Sequence, residues 1–311
     1  MDKFNDSHPT NSSLTVQLRD IKKKLPLRVL SEGDWQHWIT KGYVIVKQAV
    51  PAENLKRLTD LLWEFDEKAP DDASTWYAPQ RRAHARKELN NAGMVEIYNH
   101  QYLWDNRMEQ RIYDVFVDIW DREDLWVTID RANLNPPKQV KGNPEGFIHW
   151  DVDTSIRPQP ISVQGVLSLK EQDDETGGFQ CVPDLFEHFD EWVKTQPATR
   201  NPMLPDMTGQ ARVNIDLEPG DLMIFNSLLA HGVRPNHSDN RVRMAQYISM
   251  HPAEWDDTEM REERVRLWRE LDHPKREDFP GDPREWEKHN TTTAKLTPLG
   301  ERLLGKEKWL A

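Results

Sequence analysis

The period of the hydrophobic pattern changes near residue 125. Before it, apolar residues recur at helical spacing: Trp35, Trp38 and Ile39; then Leu55, Leu58, Leu61, Leu62 and Phe65; then Ile112, Val115, Phe116 and Ile119. Residues three and four apart share one helix face, so each set predicts an amphipathic helix, the third over about 107–121. Ser31 or Asp34 offers an N-cap for the first, and Pro51 opens the second. Gly42 ends the first helix, and Tyr43–Val46 reads as a strand. After 125 the apolar runs are short: 125–129, 161–169, 213–215, 222–225 and 244–248. Turn formers separate them, among them Asn135-Pro136-Pro137, Gly177-Gly178 and Pro219-Gly220-Asp221. That pattern predicts a β-rich core, sandwich or barrel, over 125–250, interrupted by a helical insert near 184–194. Charged helical sequence returns over 254–271, and the rest of the C-terminal part reads as surface wrapping. Residues 1–30 are polar and rich in Ser and Asn, and they read as a loosely held arm that includes Lys22-Lys23-Lys24. The predicted organisation is an arm (1–30) and one domain (31–311). The domain divides into a helical front (31–124), a β core (125–250) and a helical or irregular C-terminal part (251–311).

Composition narrows the function classes. The chain has 311 residues and a formal net charge of −12, from 53 acidic and 41 basic side chains. Nucleic-acid binders need clustered Lys and Arg to neutralise phosphates, so nucleic acid is not the expected partner. Cys181, the only cysteine, excludes an internal disulfide framework and a zinc site of several thiolates. No window approaches the roughly 18 apolar residues of a membrane span, and no targeting signal is visible, so a cytoplasmic location is expected. The 13 tryptophans supply much of the core area.

The candidate chemistry lies in His149-Trp150-Asp151 and His231. In a strand, residues i and i+2 point to one face, so His149 and Asp151 can offer a nitrogen and a carboxylate oxygen to one point. A jelly roll brings distant strands such as that of His231 to the same inner face. Two histidines and one carboxylate, with the opposite side open, form the ligand set of non-haem Fe(II) oxygenases. Arg243 starts the apolar strand after His231, and a guanidinium there can grip a carboxylate bidentately, as for the distal carboxylate of 2-oxoglutarate. Taken singly, each residue has an ordinary reading: a satisfied core or surface histidine, a turn aspartate, a strand-end arginine. It is the combination that points to a metal.

The segments His149–Ser155, Gly177-Gly178, Glu218–Phe225 and His231–Ile248, together with Gly42–Leu55, resemble the phytanoyl-CoA dioxygenase (PhyH-like) family from about residue 35 to 250. The resemblance implies a mainly β fold with flanking helices around a double-stranded β-helix, or jelly roll. It implies an Fe(II)- and 2-oxoglutarate-dependent dioxygenase that uses O₂ on a small-molecule substrate, with iron ligands His149, Asp151 and His231. It implies Arg243 as the 2-oxoglutarate anchor. Arg241 is the rival, because the spacing from His231 to Arg243 is one residue longer than is usual in the family. Gln164 and Asn133 are implied as further co-substrate contacts. The carboxylate of Asp151 stands where related halogenases have a small residue, which favours hydroxylation or another oxidation of a C–H bond.

Two other classes compete: a jelly-roll oxygenase that does not use 2-oxoglutarate, and a non-catalytic binding protein on the same scaffold. Cys181 reads as a core thiol and Asp153-Thr154-Ser155 as turn chemistry. His100, His188, His237 and His251 lack partners at ligand spacing. Arg81, Arg82, Arg86 and Lys87 read as a solvated helix face with an anion-binding alternative. Trp126, Trp150 and the Tyr98–Trp104 stretch are candidates for pocket walls, with core packing the safer reading for Trp126.

Overall fold

The computed structural model describes residues 18–77, 93–138, 145–157, 159 and 161–309. The basic cluster at 81–87 and residues 1–17 lie outside the described residues. In chain order the strands are β1 (Tyr43–Val46), β2 (Met94–Val95), β3 (Leu125–Val127), β4 (Ala132–Asn135), β5 (Val163–Ser168), β6 (Gly178–Cys181), β7 (Val213–Asn214), β8 (Leu222–Asn226), β9 (His231–Arg234), β10 (Arg243–Tyr247) and β11 (Met250–Pro252). A six-stranded antiparallel sheet runs β1-β8-β5-β10-β4-β2, a three-stranded one β7-β6-β9, and β3 pairs with β11. This is the mainly antiparallel, helix-flanked arrangement of a jelly roll, without barrel closure among the described strands.

Strand alternation sorts the large sheet into two environments. Val44, Val46, Leu222, Ile224, Val163, Leu167 and Met244 face one core cluster. That cluster also takes the apolar stripes of the helices Ala52–Phe65 and Gln110–Trp120. The alternate residues Tyr43, Ile45, Met223, Phe225 and Val166 face a second cluster, with Phe179 and Cys181 of the small sheet and Ile148 and Trp150. The first cluster fixes the sheet on its helical support; the second lies between the sheets.

The first helix, Glu32–Lys41, is capped by Ser31, whose Oγ accepts from the Asp34 amide at 3.1 Å while Asp34 accepts from the Ser31 amide at 2.9 Å. This reciprocal box settles which of the two residues is the cap. Gly42 ends the helix at φ 79°, and a Cβ there would lie 2.8 Å from the Phe186 ring, so position 42 has room for glycine alone.

Two stretches differ from the sequence-based expectation. Residues 18–30 pack instead of standing off as an arm. Leu18 is buried, and the Asp118 carboxylate accepts the amides of Arg28, Val29 and Leu30 at 2.8–2.9 Å. Lys23 of the basic triplet donates to the Asp118 carbonyl. The C-terminal part also enters the core, with Leu299, Leu303 and Leu304 buried. Buried Arg264 ties this part to β3 by donating to the carbonyls of Leu303, Leu304 and Val127. These contacts bring together residues about 90 and 40 or more positions apart, which no local pattern encodes. No described helix is long and apolar enough to cross a membrane.

His100 caps the helix Gln101–Arg107, its Nδ1 accepting the Tyr102 amide at 3.2 Å. Burial lowers its pKa from 6.5 to about 4. Between those values the unfolded chain takes up a proton that the folded state refuses, so this residue makes stability fall as pH drops from about 6.5 to 4. His100→Asn keeps a cap acceptor and does not titrate. In urea melts over that range its midpoint should fall less steeply with acidification than that of the wild type; equal slopes would refute the assignment.

Candidate metal centre

His149 lies outside the regular strands. It forms a single antiparallel bridge to His231, the first residue of β9: the His149 amide donates to the His231 carbonyl at 2.8 Å and the His231 amide donates back at 3.0 Å. Asp151 follows in a bend and not in the extended strand that the i, i+2 spacing suggested. Gly232 allows this close approach, since a Cβ there would lie 1.8 Å from the Phe147 carbonyl oxygen.

The bridge brings the three predicted ligands together. His149 Nε2 lies 3.1 Å from Asp151 Oδ1, and His231 Nε2 lies 3.2 Å from Asp151 Oδ2. One ligand atom from each residue falls within 4.8 Å of the others. His231 Nδ1 lies 2.9 Å from the Leu229 carbonyl, which only accepts, so Nδ1 carries the hydrogen and Nε2 presents a lone pair. A lone pair facing a carboxylate oxygen at this distance needs a cation between them, a proton or a metal ion. Two imidazole nitrogens and one carboxylate suit a borderline metal such as Fe(II), so the residues fit the ion. Burial pushes the Asp151 carboxyl up, but His231 and then His149 outweigh it and hold it well below the usual carboxylate range. Burial favours neutral His231, yet Asp151 and the Leu229 carbonyl raise its pKa.

Access to the three residues is one-sided. His231 is enclosed by Phe179, stacked at 5.4 Å and 9°, and by Phe225 at 4.5 Å. Its side chain is 7% exposed, against 26% for His149 and 36% for Asp151.

β10 carries the basic element. Met244 and Gln246 point to the helical side, where Gln246 bonds Asn106 at 2.8 Å and the Leu103 carbonyl at 3.0 Å. Arg243, Ala245 and Tyr247 take the opposite, inner face. Register sets Arg243 opposite Asn135, Ala245 between Asn133 and Ser168, and Tyr247 opposite Val166. The Arg243 guanidinium is buried and donates to the Arg234 carbonyl at 3.1 Å, and no carboxylate among the described residues pairs with it. Burial lowers its pKa, Tyr247 raises it and Arg234 lowers it further, while burial and then Arg243 lower Lys138. Arg241 is placed quite differently: it is held by Asp173 at 2.7 Å, Glu175 at 2.8 Å and Glu171 at 3.1 Å.

Gln164 reaches the triad itself and donates to Asp151 Oδ2 at 2.5 Å. Asn133 donates to the Tyr247 hydroxyl at 2.7 Å. Sequence reasoning does not single out Tyr247, although its i+4 spacing from Arg243 along a strand places it on the same face. Nor does it single out Phe147: its ring stacks on His149 at 4.9 Å, and the i−2 spacing was the available signal. Other candidates fall elsewhere. Cys181 is buried opposite His231, its thiol pushed up to about 12 by burial. Trp126, Trp150, Tyr98 and Trp104 are buried, and Tyr98 lines a small cavity with Glu96 and His273. Asp153 accepts the Ser155 amide in a turn.

The model of the phytanoyl-CoA dioxygenase (PhyH) family matches residues 38–245, a span that holds the triad and Arg243. The chain belongs to the phytanoyl-CoA dioxygenase (PhyH) family. Among curated relatives, Ava biosynthesis cluster protein O of Aspergillus versicolor is 25% identical over 253 residues, covering 71% of this chain and 78% of the relative. Among solved structures, the epimerase SnoN in complex with Fe3+, alpha ketoglutarate and nogalamycin RO matches with a TM-score of 0.51 at 16% identity, over 71% of this chain and 83% of SnoN. GlcNAc Inducible Gene 2 of Candida albicans matches with a TM-score of 0.62 at 13% identity, over 95% of this chain and 80% of that one. At these identities the structural likenesses speak for the fold.

The triad should take up one divalent ion per chain in anaerobic Fe(II) titration, and Asp151→Ala should abolish uptake. Gln164→Ala, which removes only the bond that orients Asp151, should weaken uptake about tenfold. Unchanged affinity would show that Gln164 does not orient the carboxylate.

Proposed function

We propose that this protein is an Fe(II)- and 2-oxoglutarate-dependent dioxygenase that hydroxylates, or otherwise oxidises, a C–H bond of a small organic metabolite with release of succinate and CO₂. The observation that carries the reading is the buried Arg243 guanidinium. It has no carboxylate partner among the described residues and lies on the inner sheet face, as does Gln164, which bonds the triad. A buried cation is costly unless paired, so this one calls for an anionic ligand. PhyH family membership supports the same reading, as does the presence of iron and alpha ketoglutarate in the SnoN structure.

His149, Asp151 and His231 would hold the iron, and Arg243 would bind the distal carboxylate of 2-oxoglutarate. When bound, iron and 2-oxoglutarate supply the O₂-dependent oxidation. The chain's own part is positional. The Leu229 carbonyl fixes the His231 tautomer, Gln164 orients Asp151, and Asn133 holds the Tyr247 hydroxyl beside Arg243. Phe179 and Phe225 exclude water from the His231 side. Asp151 would hold the iron where related halogenases have a small residue, which favours hydroxylation or another oxidation of a C–H bond.

Anaerobic addition of Fe(II) and 2-oxoglutarate should produce a weak visible charge-transfer band. Arg243→Ala should weaken 2-oxoglutarate binding about 100-fold, the scale for truncating one partner of a buried charge pair. Arg241→Ala, which breaks only a peripheral ion-pair cluster, should leave it unchanged. Full 2-oxoglutarate affinity in Arg243→Ala would take the anchor role from Arg243, and failure of the iron-loaded wild type to bind 2-oxoglutarate would favour an oxygenase that does not use this co-substrate. Failure of the wild-type protein to bind iron at all would favour a binding protein.

A further inference from the structure

The bridge between His149 and His231 fixes more than the metal ligands. Continuing its antiparallel register sets Ile148 opposite Gly232 and Phe147 opposite Val233. The backbone agrees: a Cβ on Gly146 would lie 2.5 Å from the Val233 carbonyl oxygen. Alternation puts Phe147 and Val233 on the face that carries both histidines. Two side-chain observations support this placement. Phe147 stacks on His149 with 28° between the rings. Val233 is paired in register with Phe179, the ring stacked on His231.

Both residues are large, apolar and open to solvent, Phe147 64% exposed and Val233 47%. Phe147 adjoins the more exposed His149 side of the triad, and Val233 lies at the rim beside Phe179, which with Phe225 encloses His231. The charge next to them is engaged elsewhere: Arg234, between Val233 and Pro235, pairs with Asp174 at 2.6 Å and Asp216 at 3.6 Å. Bare apolar surface at the accessible edge of a metal site is a binding surface, because covering it gains the hydrophobic term. Its shape is specific as well. Phe147 already stacks on His149, and its exposed ring suits a further flat ring in offset stacking.

We infer that Phe147 and Val233 form an apolar lip that seats a ring-bearing, uncharged part of the substrate beside the His149–Asp151–His231 centre. The inference rests on the dioxygenase reading and adds a substrate class to it: small molecules with an aromatic or unsaturated ring next to the oxidised carbon.

Indole and 2-naphthol serve as ring probes, and lysine and glutamate as charged controls. Equilibrium dialysis measures their binding to the Fe(II)- and 2-oxoglutarate-loaded protein under anaerobic conditions, and the charge-transfer band reports loading separately. Ring probes should bind saturably and in preference to the charged controls. Phe147→Ala should lower their affinity about tenfold, the scale for removing a stacked ring and the apolar area it covers. Phe147→Trp should retain it, and Val233→Ala should reduce it severalfold. The band and the 2-oxoglutarate affinity should be the same in all three variants. Equal ring-probe binding by wild type and Phe147→Ala, or a preference for charged probes, overturns the inference. Loss of 2-oxoglutarate affinity in Phe147→Ala also overturns it, by assigning the lip to the co-substrate. Absence of the band from the wild type removes the dioxygenase reading itself, and the lip then has no claim to a substrate.

Discussion

The paired hydrogen bonds between the backbones of His149 and His231 are the constraint on which the site depends. They fasten an irregular segment to the start of β9 and so join ligands 82 positions apart in the chain. Glycine at 232 lets the strands approach, and the same register decides that the two histidines, Phe147 and Val233 share one face. A one-residue slip of that segment would turn Phe147 and His149 away from the face that carries His231 and Val233.

Alternation gives the large sheet two different faces. Its helical side is welded to a large apolar cluster, reinforced by the packed residues 18–30 and the C-terminal segment. Its inner side carries a narrower set of apolar groups together with Gln164, Asn133, Arg243 and Tyr247. The first face supplies stability through buried area, so the second can carry polar groups that await ligands.

Electrostatics divides the site further. At one end a carboxylate lies between two imidazoles, an arrangement that calls for a cation. At the other, a buried guanidinium beside further positive charge calls for an anion. The fold therefore presents complementary needs, one on β9 and the segment bridged to it, the other on the inner face of the large sheet.

Much of this was legible in the sequence. Helical spacing located the helices over 32–41, 52–65 and 110–120, and short punctuated runs located β3, β5, β7, β8 and β10, because both periods follow from backbone geometry. The motif residues identified the triad, since few side-chain types can ligate a metal. Spacing alone could not separate Arg241 from Arg243, which lie two apart on one stretch. Their neighbours do so: an acidic loop engages Arg241, while burial isolates Arg243 from carboxylates among the described residues. Nor could sequence show that Gln164 reaches Asp151, that residues 18–30 pack on Asp118, or that Trp150 serves the core as Trp126 was expected to. Local pattern determines which face a residue occupies within its own element. Which faces then meet is decided by contacts between segments far apart in the chain, and those exist only once the sheets have formed.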